Sequence, residues 1–123
     1  GAYGSKPTIA ASRAVLSHSL NSLGASQFYM EKWEDAHATF TRAMELCDGL
    51  SGATPAHIQT NLGAVSYKRG QYSDAKRHYE DALRIYDGQL VTGASDEVLS
   101  AKARCLSSLG TTHRSLNETS LAR

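Results

Sequence analysis

The side chains best suited to chemistry are five histidines and two cysteines. Histidine binds a metal or relays a proton when a second ligand lies one helical turn away or a carboxylate orients it. His18, His57 and His113 stand far apart, and no His-x-x-x-His pair provides zinc spacing. Structural or surface roles suit them better. Cys47 and Cys105 match no metal or redox spacing, and free thiols of this kind suit a reducing, cytoplasmic compartment. The chain has neither a Gly-x-Ser-x-Gly elbow nor a phosphate-cradling loop. The basic cluster Lys68, Arg69, Lys76, Arg77 and Arg84 is answered by Asp74, Glu80 and Asp81, and reads as a solvated helical face. Asn117-Glu118-Thr119 fits a glycosylation acceptor and reads as a chance match. Catalytic, cofactor and metal roles are therefore not expected.

These residues must be carried by helices. Thirteen Lys+Arg against twelve Asp+Glu leave a formal charge of +1, so nothing in the bulk charge points to nucleic acid. The apolar fraction of 41% is enough for a core. No run approaches the roughly 18 apolar residues that cross a membrane. Convincing alternating runs for strands are missing, and the long segments carry a 3.6-residue period. Trp33, Ala36, Phe40, Ala43 and Cys47 form one stripe, and Tyr72, Ala75, Tyr79, Ala82 and Tyr86 repeat it. Ile9, Leu16, Leu20 and Leu23 form another. Thr54-Pro55 reads as an N-cap followed by proline in the first turn, and Pro7 also marks a helix start.

Shifted by 39 positions, the sequence falls on itself. Leu23-Gly24-Ala25 lands on Leu62-Gly63-Ala64, Asp35-Ala36 on Asp74-Ala75, Ala43 on Ala82, and Asp48-Gly49 on Asp87-Gly88. A third copy begins at Leu109-Gly110. The step from glycine to the next key alanine is 12 each time: Gly24 to Ala36, Gly63 to Ala75, Gly110 to Ala122. Glycine and alanine let neighbouring helices approach closely, while Phe40 and Tyr79 fill the space between. A helix pair of this kind cannot bury its apolar face alone, so copies stack.

These residues resemble the tetratricopeptide repeat family, in which a bulky residue and Leu-Gly on a first helix are followed by Ala, aromatic and Ala on a second. Leu20-x-x-Leu23-Gly24 leads to Ala36, Phe40 and Ala43; Gln59-x-x-Leu62-Gly63 leads to Ala75, Tyr79 and Ala82; Leu106-x-x-Leu109-Gly110 leads to Ala122. The resemblance implies an all-α, right-handed helical-hairpin solenoid of about two and a half repeats. Repeat one would span 9–50, repeat two 54–91 and a partial repeat three 95–123, after a frayed or cloning-derived end at 1–8.

The sequence departs from the family pattern. The tyrosine expected three residues after the glycine is Gln27, Ser66 and His113, and the closing proline is Asp48 and Asp87. Copies lie 39 and 47 apart, against a usual spacing of about 34. Longer helices and extra loop residues at Asp48–Thr54 and Gly88–Ser95 account for this. The stretched form is similar to kinesin light chain repeats, which implies a cytoskeleton- or cilium-associated setting. The third copy reads as cut: Ser95 caps a helix through Leu99, Ala103, Leu106 and Leu109, and a second helix would start near Glu118. Either the chain is a fragment of a longer array or this is a native end, and the unpaired face implies a weak homodimer.

In the family the first helix of each pair lines a concave groove. The resemblance places Asn21, Phe28 and Tyr29 there from copy one, with His18 and Ala25; His57, Thr60, Asn61, Tyr67 and Lys68 from copy two, with Ala64; and Arg104, Ser107, Thr111 and Arg114 from copy three, with Ser108. Amides and hydroxyls can bond an extended peptide backbone, aromatics can anchor side chains, and Lys68, Arg104 and Arg114 favour an acidic segment. The carboxylate clamp of chaperone-binding members is mostly missing, since only Asn61 among Asn21, Ala25, Asn61, Arg104 and Ser108 matches outright. The expected function is a peptide-binding module of a larger adaptor or scaffold. The alternative is a structural scaffold that self-associates through its repeat ends.

Overall fold

The computed structural model describes residues 8–93 and 95–121. Among them are five helices and no strand: α1 (Ile9–Tyr29), α2 (Trp33–Cys47), α3 (Thr54–Lys68), α4 (Tyr72–Thr92) and α5 (Asp96–Leu121). α1 pairs with α2, α3 with α4, and α5 lies against α4. The result is an all-α helical-hairpin solenoid.

The hairpin turns repeat as the sequence does. Glu31 (φ 61°) and Gly70 (φ 76°), 39 positions apart, take the left-handed conformation at the same point of each pair. The following amides reach back across the helix end, Lys32 to the Gln27 carbonyl at 2.9 Å and Gln71 to the Ser66 carbonyl at 2.8 Å. This wrap satisfies carbonyls the last turn would leave open. At the other end of the first pair, Arg13 closes α2 with bonds from Nε to the Leu46 carbonyl and from Nη2 to the Asp48 carbonyl, both 2.9 Å.

The small residues lie where helices touch. An added Cβ at Gly24 would stand 2.5 Å from Cε1 of Phe40, so the ring lies directly on the α1 backbone. Ala36, Phe40, Ala43 and Cys47 of α2 are buried with Ile58, Leu62 and Val65 of α3 in one core. Ala75, Tyr79, Ala82 and Tyr86 of α4 form the second core with Ala56 of α3 and Ala101 and Cys105 of α5. α3 thus buries two faces, one against each second helix, and that links the pairs into a stack.

Several sequence expectations change at the ends of the stack. The α1 stripe is not core: Ile9, Leu16 and Leu23 are exposed, Leu20 is half-buried, and Ser17 and Gly24 are buried instead. Among the described residues no helix lies on the leucine side of α1. Likewise Leu99, Ala103 and Leu106 are exposed on α5, while Ala101, Cys105 and Thr112 are buried. Thr54 is not the cap of α3; Ala53 takes that place without a side-chain bond, and Pro55 still sits in the first turn. The α4 helix runs through Gly88 to Thr92, so Gly88–Thr92 is not loop, and the six extra residues of α4 over α2 (21 against 15) absorb most of the longer second spacing. Ser95 does cap α5, accepting from the Val98 amide at 3.2 Å.

The expected second helix of copy three does not begin near Glu118: α5 continues unbroken to Leu121. Asn117 stands 47 positions after Gly70, at the point where copies one and two turn. Asn117 stays within α5 and does not take the left-handed conformation found at Glu31 and Gly70. Ala122, Pro7 and the segment 1–7 lie outside the described residues.

Candidate functional site: a groove across the first helices

The 3.6-residue period sends residues three, four and seven apart to one side of a helix. On α3 this aligns His57, Thr60, Asn61, Ala64, Tyr67 and Lys68, and on α5 it aligns Arg104, Ser107, Ser108 and Thr111. Together with Ala25, Phe28 and Tyr29 of α1 they line one side of the stack.

The groove has two lobes that share Phe28, Ala64 and Ser108. The larger, about 410 Å³, holds Tyr29, His57, Thr60, Asn61 and Arg104, with Phe40 and Tyr86 also in its wall. The smaller, about 230 Å³, is walled by Tyr67, Tyr79, Lys68, Ser107 and Thr111. One lobe is rich in hydrogen-bonding groups; the other offers two tyrosine rings beside a lysine.

The polar groups are pre-arranged by bonds between helices. Asn61 Nδ2 donates to Asn21 Oδ1 at 2.7 Å, tying α3 to α1. Asn21 therefore supports the lining rather than forming part of it. The Asn61 carbonyl oxygen, in the wall of the larger lobe, keeps hydrogen-bonding capacity for a ligand. Tyr67 Oη and Ser115 Oγ lie 2.8 Å apart and tie α3 to α5. Tyr67 also packs on Tyr72 with ring centroids 5.1 Å apart, and Phe28 meets Trp33 edge-on at 5.2 Å. Arg114 is exposed on α5 and lies outside both lobes, as does the exposed His18 of α1.

His57 Nδ1 lies 2.7 Å from Tyr86 Oη, at the floor of the larger lobe. Burial pushes the His57 pKa down, Glu97 opposes that, and the positive neighbours Arg104 and His18 add to it. The ring is thus held neutral, and its Nδ1 can accept from the Tyr86 hydroxyl. Burial also raises the Tyr86 pKa, so the phenol keeps its proton. The Tyr79 pKa is pushed up to about 12, chiefly by burial.

Sequence reasoning missed the second-helix contributions Phe40, Tyr79 and Tyr86, and Ala101 of α5, all of which reach the groove walls. Phe40, Tyr79 and Tyr86 belong to the buried packing stripes, and each ring also reaches the groove wall. The available signal was the change from Cys47 to Tyr86 at one repeat position, which adds a hydroxyl that needs a partner. Among the described residues, no group of three His, Cys, Asp or Glu side chains could hold a metal ion. No helix among them is long and apolar enough to cross a membrane.

Neither curated proteins nor solved structures gave a match to the chain. The family model described as tetratricopeptide repeat matches residues 14–88, from within α1 to within α4. That span contains both glycine-on-ring contacts and both left-handed turns. With the repeating hairpins, the small residues at the helix contacts and the family match in agreement, the chain belongs to the tetratricopeptide repeat family.

Proposed function

We propose that the chain is an interaction module that holds an extended peptide segment of a protein partner along the two-lobed groove, as part of a larger adaptor or scaffold. Tetratricopeptide repeats are non-catalytic and generally mediate protein–protein interactions. The observation that carries the finer reading is the continuity of the two lobes across α1, α3 and α5. Hydrogen-bonding groups at Thr60 and Asn61 suit a peptide backbone, and the Phe28, Tyr67 and Tyr79 rings suit a side chain. Lys68 and Arg104, one in each lobe, favour an acidic segment. The groove is preformed by packing, so binding leaves the backbone largely in place.

The test is affinity capture with the wild-type chain and with an Asn61→Ala, Tyr67→Ala double variant whose helicity is checked by circular dichroism. Partners held by the groove are lost from the folded variant. Equal recovery by both proteins refutes the groove as the binding surface.

A further inference from the structure

His18 and Cys47 stand 39 positions before His57 and Tyr86 and are their counterparts in the first copy. His18 is exposed and outside both lobes, whereas His57 is half-buried in the wall of the larger one. The Cys47 thiol turns back to the Met44 carbonyl of its own helix at 3.5 Å, while the Tyr86 hydroxyl reaches across to His57 Nδ1 at 2.7 Å. That contact decides where the imidazole proton sits. Phenol is the stronger acid of the pair and imidazole the stronger base, so the shared hydrogen stays on Tyr86 Oη and points at Nδ1. Burial holds the ring neutral, and its own proton is then on Nε2. Nε2 makes no hydrogen bond among the described residues, and no buried side-chain nitrogen or oxygen there lacks a partner. Nε2 therefore reaches solvent, on a ring that lines the larger lobe.

Arg104 stands 47 positions after His57, at the same point of the third copy, and lines the same lobe. Its neighbour Lys102 is held by Asp87 at 2.6 Å, but Arg104 makes no ion pair among the described residues. Glu97, the acidic group that acts on His57, is exposed and lines neither lobe. We propose that His57 is the specificity-determining donor of the larger lobe, and that Tyr86 is the positioning residue that holds its Nε2–H ready for a side-chain carboxylate of the bound segment, shared with Arg104. This role rests on the groove being the peptide site, and adds which residue selects and for what. An aspartate or glutamate at the larger lobe is preferred to asparagine or glutamine, because a hydrogen bond to a charged acceptor is the stronger one.

Two measurements test the pair. In the free protein at neutral pH, long-range proton–nitrogen correlation spectra distinguish a protonated from an unprotonated ring nitrogen. His57 should carry its proton on Nε2, and Tyr86→Phe, which keeps the ring volume, should release it to a mixture of both tautomers. A proton on Nδ1, or a tautomer balance unchanged by Tyr86→Phe, overturns the positioning role. For selectivity the probe is a degenerate library of short peptides blocked at both ends, so that only side chains supply carboxylates. It is captured on wild-type protein and on folded His57→Leu, His57→Gln, Tyr86→Phe and Asn61→Ala, Tyr67→Ala variants. Wild type should favour an acidic residue over its amide at one position. That preference should fall about tenfold in His57→Leu, as for a lost charge-assisted hydrogen bond. It should fall less in Tyr86→Phe and in His57→Gln, which keeps a side-chain N–H donor. Capture that the Asn61→Ala, Tyr67→Ala variant loses, but that has no acidic preference or keeps it in full in His57→Leu, overturns this role and leaves the groove reading standing. No capture, or capture undiminished in that double variant, overturns the groove reading and this role with it.

Discussion

Tyr79 of α4 lies over Gly63 of α3 so closely that a Cβ on that glycine would stand 2.6 Å from the ring. The contact is the physical basis of the repeat, because it sets how near the two helices of a pair can come. Tyr79 is buried, so its ring has little room to yield. Gly63→Ala should therefore destabilise the chain by about 1–3 kcal/mol through overpacking. Gly110→Ala, made in open space, should be neutral or stabilising by up to about 1 kcal/mol because alanine favours the helix. Urea denaturation of the two variants checks the difference, and equal stabilities would contradict the close contact.

The His57 and Tyr86 pair gives a second prediction. Tyr86→Phe keeps the ring in the core and removes the hydroxyl that meets His57 Nδ1 at 2.7 Å. Loss of one hydrogen bond from a half-buried imidazole should cost about 0.5–1.5 kcal/mol. Little change elsewhere in the amide spectrum is expected, because the volume is conserved. A variant as stable as wild type would mean that water replaces the hydroxyl without loss.

Stability should fall on mild acidification. Burial lowers the pKa of both His57 and His78 below the ordinary 6.5. The unfolded chain then takes up protons before the folded one does. The stabilisation is complete above 6.5 and is lost as pH drops through the lower native values. Unfolding free energy measured between about pH 7.5 and 5.5 should decline, and a His57→Gln, His78→Gln variant should show a shallower decline. A profile that rises on acidification would contradict the burial of both rings.

The thiols should be inert in the folded protein. Cys47 and Cys105 are buried, and burial raises both pKa values. Reaction with a thiol-specific chromogenic reagent at neutral pH should follow the opening of the structure, and both thiols should react at once in denaturant. Rapid labelling of either thiol in native buffer would show that its core is open to solvent.

The interior of the stack was legible in the sequence because its rules are local and repeated. Glycine on one helix and alanine–aromatic–alanine on the next recur at fixed spacing, and each is needed wherever two helices touch. The buried stripes of α2 and α4 follow from that spacing, and the resemblance to the repeat family rests on the same residues. The groove positions of α3 and α5 came from the resemblance to the repeat family; in the structure His57, Thr60, Asn61, Tyr67 and Lys68 of α3 and Arg104, Ser107 and Thr111 of α5 line the two lobes.

Tertiary structure decided which faces have neighbours. Leu16, Leu23, Leu99 and Leu106 look like core by type, yet they are exposed because among the described residues no helix lies against them. Apolar character states what a face would bury, and only the arrangement of the helices says whether something is there to bury it. The same holds for Asn117, which sits at a turning point of the repeat but stays helical, and for Tyr86, whose hydroxyl reaches the groove floor because His57 stands opposite on a separate pair-forming helix. Sequence period fixes the side of a helix on which a residue lies; what meets that side is a property of the assembled stack.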